Sequence, residues 1–140
     1  MLVVDANVLA YFLVQGEKTD QARSLRAVDP DWQAPTLIFY EVASVLTQLA
    51  KQGGISLEAA QAAFATALTL VTPVGSQVDG RRTIEIAARL DVSAYDACYL
   101  ATAESLGAPL ATEDGRLLRL APEVARTPAS WSESISESVE

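Results

Sequence analysis

Residues 2–9 of the chain read Leu2-Val3-Val4-Asp5-Ala6-Asn7-Val8-Leu9. Three apolar residues, two of them β-branched, stop abruptly at an acid, the pattern of a short strand buried on both faces. Val8, Leu9, Phe12 and Leu13 then recur at helical spacing, so the strand passes into a helix that Gly16 ends. The same alternation repeats down the chain. A second helix is predicted from Thr19 to Val28, with Ala22, Leu25 and Val28 on one face, and Trp32 to Ala34 reads as a second strand. Pro35-Thr36 opens a third helix whose stripe is Ile38, Val42, Val45, Leu46 and Leu49; Gly53-Gly54 stops it, and Glu41 sits off the stripe. Ser56 caps an alanine-rich fourth helix reaching about Leu68, and residues 69–74 form a third strand closed by Pro73 and Gly75. A fifth helix is predicted from about Ser76 to Leu90. Ser93 begins a sixth that packs through Ala97, Leu100, Ala101 and Ala103 and ends at Gly107. Pro109 to Thr112 is a fourth strand, a short helix carrying Leu117, Leu118 and Leu120 follows Asp114, and a last strand falls near Val124. Short strands separated by helices predict right-handed crossovers and an α/β fold, a parallel sheet with helices on both faces.

The 140 residues suffice for one domain, expected over 1–128, followed by a Ser/Glu-rich tail over 129–140 that reads as solvated or frayed. The chain has no histidine and one cysteine, Cys98, which excludes Ser-His-Asp and Cys-His nucleophile systems, His-ligated zinc and disulfide scaffolds. With no histidine to activate it, Cys98 reads as a small buried hydrophobe inside an apolar helical pattern. Catalysis is left to carboxylates. The formal net charge of −8 disfavours broad attraction to nucleic acid or anionic lipid, although setting aside the tail's three acids and four carboxylates considered below leaves −1. An acid at position 5 and the lack of a long apolar run after Met1 argue against a secretory signal, so a cytoplasmic protein is expected. Residues 59–78 carry no charge, but Gln61, Thr66, Thr69, Thr72, Pro73 and Gly75 interrupt them, and no membrane segment is expected.

In an open parallel sheet, ligands bind beyond the carboxyl ends of the strands. Asp5 ends the first strand, and Asp114 follows the fourth after Thr112-Glu113. Glu41 and Asp96 lie near the starts of the third and sixth helices, whose N-termini point to the same edge. Each acid has a local alternative: Asp96 in a capping box with Ser93, Glu41 as a complement to the helix dipole, Asp114-Gly115 as a turn. As a group they point elsewhere. Two carboxylates about 4 Å apart repel by roughly 4 kcal/mol at an effective dielectric near 20, so a cluster calls for a cation. Oxygen-only ligands select a hard ion, Mg²⁺ or Mn²⁺, which suits in-line hydrolysis of a phosphodiester.

Leu2 to Leu9, Glu41 after Pro35-Thr36, Ser93-Ala94-Tyr95-Asp96-Ala97, and Leu110-Ala111-Thr112-Glu113-Asp114-Gly115-Arg116-Leu117 together resemble the PIN (PilT N-terminus) domain family, and within it the VapC toxins. The likeness covers about residues 1–126. It implies a three-layer α/β/α sandwich with a short parallel sheet and a Mg²⁺- or Mn²⁺-dependent endoribonuclease. It also implies a homodimer and a VapB-like antitoxin as partner. Carried over by motif, Asp5, Glu41, Asp96 and Asp114 are the metal-binding and catalytic acids. Asn7 and Thr112 resemble positions that orient the site, with a local cap after the strand as their alternative. Glu113 is an alternative ligand, and Arg116 is the best placed of the bases Arg81, Arg82, Arg89, Arg116 and Arg119 to meet RNA phosphates, with a solvated helix face as the alternative. The scarcity of basic surface, read with the family, suggests a structured RNA such as tRNA as substrate. A receiver domain and a haloacid dehalogenase-type phosphatase both need a late lysine, whereas the last one here is Lys51. The remaining rival is a non-cleaving PIN-like module that binds RNA or protein.

Overall fold

A computed structural model describes residues 1–74, 79–131 and 133. Its elements are β1 (Leu2–Val4), α1 (Ala6–Leu13), α2 (Thr19–Val28), β2 (Trp32–Ala34), α3 (Leu37–Lys51), α4 (Leu57–Leu70), β3 (Val71–Pro73), α5 (Gly80–Leu90), α6 (Ala94–Leu106), β4 (Leu110–Ala111), α7 (Gly115–Leu120) and β5 (Ala125–Arg126). The five strands form one parallel sheet in the order β3-β2-β1-β4-β5. From β1 the chain steps outward to β2 and β3, then returns across the sheet to β4 on the other side of β1. Right-handed crossovers, the rule for parallel strands, move the connecting helices to the opposite face when the direction reverses. The packing follows: α1 to α4 contact one another, while α5 packs against α6. This is the three-layer α/β/α sandwich. The order reverses between β1 and β4, where a crevice opens at the carboxyl edge.

Leu2, Val3 and Val4 are all fully buried, as are Ala34, Leu110 and Ala111, so the apolar runs of the strands reflect cover on both faces. Trp32 in β2, 1% exposed, ties three elements together. Phe12 of α1 meets it edge-on with centroids 5.6 Å apart, and the Arg26 guanidinium of α2 lies 5.0 Å from its ring centre. Arg26 Nη1 also donates to the Leu70 carbonyl at the end of α4 at 2.8 Å. Cys98 is buried in α6, as expected of a small hydrophobe.

The structure departs from the sequence reading at a few boundaries. Helix α4 runs to Leu70 and β3 begins at the next residue, Val71, while the last strand lies just beyond Val124. Helix α5 begins at Gly80 with Asp79 as its cap, its side chain accepting from the Arg82 N–H at 3.1 Å; the expected start at Ser76 lies outside the described residues. The tail is not solvated from its first residue. Residues 128–131 are helical, and Trp131 is 9% exposed and joins the core, with the Arg126 guanidinium 5.9 Å from its ring centre. An indole buries too much apolar area, and stacks too well under a guanidinium, to remain in water beside this sheet edge. Ile135 and Val139, the tail's other large apolar residues, lie outside the described residues. Among the described residues no helix is long and apolar enough to cross a membrane.

Replacing Trp32 with alanine removes the contacts that join α1, α2 and β2, so the variant should lose about 3–5 kcal/mol of stability. Urea denaturation followed by circular dichroism reads this directly. A loss below about 1 kcal/mol would show that Trp32 does not organise that side of the sheet.

Candidate active site

The parallel register pairs Val4 with Ala111, which sets the next residues, Asp5 and Thr112, side by side at the carboxyl edge. There Asp5 caps α1. Its Oδ1 accepts from the Val8 N–H at 2.9 Å and its Oδ2 from the Thr112 hydroxyl at 2.5 Å. Thr112 is completely buried, and its Oγ1 in turn accepts the Asp114 N–H at 3.0 Å. One hydroxyl therefore fixes both acids of the two adjacent strands. Asp114 caps α7 by accepting the N–H groups of Arg116 and Leu117 on Oδ1, each at 2.9 Å, which leaves Oδ2 unengaged. Asp96, in the first turn of α6, has its N–H held by the Ser93 hydroxyl at 3.0 Å. The local alternatives for these acids are therefore real contacts, and they position the carboxylates for a shared cavity.

That cavity, of 230 Å³, is lined by Asp5, Asn7, Glu41, Asp96, Tyr99 and Asp114, with Ala6, Ser44, Val45 and Leu117 between them. All four carboxylates carried over from the sequence motifs meet there. Asn7 lines the wall, while Thr112 acts from behind through its bond to Asp5. Glu113 is not among the lining residues and lies 3.5 Å from Lys18 Nζ. Arg116 reaches from α7 to the Asp91 carbonyl and carboxylate rather than over the cavity. Arg82 is engaged by Glu104 at 2.8 Å and by Glu85 at 3.1 Å, which removes it from any phosphate track, whereas Arg81, Arg89 and Arg119 are exposed. Sequence reasoning missed Tyr99 and Ser44. Each lies three residues beyond a quartet acid in its own helix, Tyr99 after Asp96 and Ser44 after Glu41, and that spacing would have found both.

The carboxyls form a closed ring of repulsion. Asp5 feels Asp114 and Glu41, Glu41 feels Asp96, and Asp96 feels Asp114. Burial is the largest influence on Asp5 and raises it from 3.8 to about 6, against the hydrogen bonds from Thr112 and Val8. Burial likewise raises Glu41 and Asp96; Tyr99 draws Glu41 part of the way back, and Ser93 and Arg116 do the same for Asp96. Burial and the adjacent Glu41 push the Tyr99 hydroxyl far up. Glu41 Oε1 and Tyr99 Oη are both buried and stand near one another without completing a hydrogen bond of normal geometry. Among the described residues no three acidic or cysteine side chains are drawn close enough together to hold an ion at one point. Like charges favour such separation. The donor chemistry still fits a hard divalent cation: the donors are all oxygen, one buried carboxylate oxygen is unsatisfied, and a positive charge would relieve every repulsion in the ring.

The PIN domain family model matches residues 2–122 of the chain. The chain is 39% identical over 122 residues to a VapC ribonuclease of Mycobacterium bovis, taking in 84% of this chain and 88% of that protein. Ribonuclease VapC9 of Mycobacterium tuberculosis matches by the same figures, 39% over 122 residues. Among solved structures, a Pyrobaculum aerophilum protein superposes with a TM-score of 0.76 at 20% identity, over 97% of this chain and 95% of its own. A chain of a toxin-antitoxin complex from Klebsiella pneumoniae gives 0.67 at 20% identity, over 91% of this chain and 98% of its own. Mycobacterium tuberculosis VapC20, described as a sarcin-ricin loop cleaving toxin, gives 0.65 at 25% identity, over 82% of this chain and 91% of its own.

Because folding raises the Asp5 pKa from 3.8 to about 6, the folded state favours the protonated carboxyl. The stability this group contributes is complete below its unfolded pKa and is lost as pH rises through the folded value. Glu41 and Asp96 shift in the same sense. In EDTA, Asp5→Asn should therefore raise the melting temperature at pH 7.5, by a stabilisation on the order of 3 kcal/mol, and leave it nearly unchanged at pH 4. Thermal denaturation at the two pH values measures this. An equal effect at both would show that the charge on Asp5 is not what strains the metal-free site.

Proposed function

The chain belongs to the PIN domain family, and from that premise we propose that it is a Mg²⁺- or Mn²⁺-dependent endoribonuclease, the toxin of a VapBC-type module. The observation that carries the reading is the ring of four carboxylates around one cavity, supplied by residues at the ends or starts of α1, α3, α6 and α7. Such a ring destabilises the metal-free fold. A cation in the working state would relieve that strain.

Asp5, Glu41, Asp96 and Asp114 would hold the ion, and the chemistry it supplies when bound is charge neutralisation and Lewis-acid activation for phosphodiester hydrolysis. The remaining roles belong to the chain. Thr112 holds Asp5 by donating to Oδ2 and fixes the turn to Asp114 by accepting its N–H, so the two acids move as one unit. Tyr99 places a hydroxyl beside Glu41 in the cavity wall, where it can satisfy Oε1 and restrict the carboxyl's rotation. Asn7 offers a neutral amide at the wall, a donor and acceptor that adds no charge to the ring.

The partners proposed are an RNA substrate, of the structured kind exemplified by tRNA, a VapB-like antitoxin and a second copy of the chain. An apolar groove of 620 Å³ between α3 and α4, lined by Leu46, Ala50, Leu57, Ala60 and Phe64, offers surface for a protein partner. It lies on the layer that also carries Glu41.

Incubation of the purified protein with total tRNA and rRNA in Mg²⁺ or Mn²⁺, with mapping of new 5′ ends, tests the proposal. Discrete cuts are expected that vanish in EDTA and fall at least about 10²-fold in Asp96→Asn. Mn²⁺ at a hundredfold excess over its dissociation constant should stabilise the wild-type fold by about 2.7 kcal/mol. Cleavage that persists in Asp96→Asn would overturn the assignment of the acids. Metal-dependent stabilisation without cuts would favour a non-cleaving binding module.

A further inference from the structure

Two exposed aromatic side chains each adjoin an acid of the ring. Tyr40 is 78% exposed and precedes Glu41, and Tyr95 is 66% exposed and precedes Asp96. Tyr40 is the most exposed large apolar side chain among the described residues. Neither ring has an aromatic or cationic partner; the ring contacts among the described residues join Phe12 to Trp32, Arg26 to Trp32 and Arg126 to Trp131. An exposed tyrosine on its own is ordinary. Two placed alike relative to one cavity are not.

Their placement follows from helix geometry. On α3 the cavity is lined from positions 41, 44 and 45, and the core is packed from 38, 42 and 46. Advancing one residue turns a helix by about 100°, so Tyr40 lies to the side of Glu41 that faces away from the core. Tyr95 bears the same one-residue relation to Asp96 on α6. Both tyrosines fall in the first four residues of helices that start at the carboxyl edge, and helical side chains tilt toward the N-terminus. Each ring therefore leans toward the carboxyl edge beside its acid, outside the cavity lining itself. Helices α3 and α6 belong to opposite layers of the sandwich, so the two rings come from opposite sides of the sheet edge that carries the cavity.

We propose that Tyr40 and Tyr95 form a two-sided stacking clamp for unpaired RNA bases, one on each side of the scissile phosphate. The inference rests on the ribonuclease reading and deepens it by naming how substrate is held. Stacking on an aromatic face does not depend on charge, and every base presents a π-face. It suits a chain with a formal charge of −8 whose Arg82 and Arg116 are already engaged by acids. The clamp also sets substrate class. Bases inside a duplex are stacked on their neighbours and closed to side chains, whereas those of a loop or a single strand can splay onto a ring. A strand entering between the tyrosines brings its backbone over the acids, so the same contacts that bind the bases place the phosphate.

The test compares wild type with Tyr40→Ala, Tyr95→Ala, Tyr40→Phe and Tyr95→Phe, on a fluorescein-labelled single-stranded RNA and on the same sequence in a duplex. Binding is read by anisotropy in EDTA and cleavage by steady-state kinetics in Mn²⁺. Each alanine variant should weaken single-strand binding by about 5- to 150-fold and raise KM by a similar factor with kcat little changed, while each phenylalanine variant stays within about twofold of wild type. Duplex binding should not respond. Both positions are exposed, so melting temperatures should stay within a degree or two of wild type, and this control separates lost binding from lost fold. Unchanged affinity in both alanine variants, phenylalanine variants as weak as alanine, or wild type that fails to bind the single strand would each overturn the clamp. Metal-dependent cleavage with tyrosine-independent KM would defeat the clamp and leave the ribonuclease reading standing. Tyrosine-dependent binding without cleavage would do the reverse.

Discussion

The pairing of β1 with β4 is the constraint on which the rest of the molecule depends. These strands are three and two residues long, and their register sets Asp5 against Thr112; a shift of one residue would swap the faces of Val3 and Val4 within the core and part Asp5 from the Thr112 hydroxyl. From that pair the site unfolds outward: Thr112 reaches both Asp5 and the turn to Asp114, Asp5 starts α1 and Asp114 starts α7. The carboxylates that repel one another are thus the caps that begin the helices around them. Neither duty can be relaxed without disturbing the other.

This sharing explains how the fold tolerates a strained centre. A helix N-terminus presents unpaired N–H groups and a partial positive charge, which a carboxylate answers well. Asp5 and Asp114 each receive such bonds, and Asp5 is nonetheless raised, since burial and the neighbouring acids outweigh the hydrogen bonds. The hydrophobic sandwich carries the cost, with Trp32, Leu2, Leu9, Ile38 and Leu110 packed at or near zero exposure. At the carboxyl edge the molecule trades stability for a pocket ringed by mutually repelling carboxylates.

The layers divide the labour. One contributes Glu41 from α3 together with the apolar groove shared with α4, the other contributes Asp96 and Tyr99 from α6, and the sheet edge between them contributes Asp5 and Asp114. Glu41, with one buried oxygen unsatisfied, faces Tyr99 across that division. The apolar groove between α3 and α4 shares helix α3 with Glu41 and Tyr40.

Much of this was legible in the chain. Strands buried on both faces announce themselves as unbroken apolar runs, as in Leu2-Val3-Val4, and helix ends announce themselves through Ser56, Ser93 and Gly107, because caps are local physics. The four acids were legible through their contexts, each at a strand exit or helix start. Other features required the folded chain. Helical rotation turned Tyr99 into the cavity wall, and the packing of α5 and α7 bound Arg82 and Arg116 to acids 22 and 25 residues away. Trp131 looked like part of a polar tail until the edge of the sheet offered it a place beside Arg126. The sequence by itself determined which segments form strands and helices and which acids stand at their ends, since those depend on neighbours a few residues apart. Only the tertiary structure decided which acids share a cavity, which arginines are spent on other acids and which tyrosines are left in solvent, since those depend on distances the chain closes only when it folds.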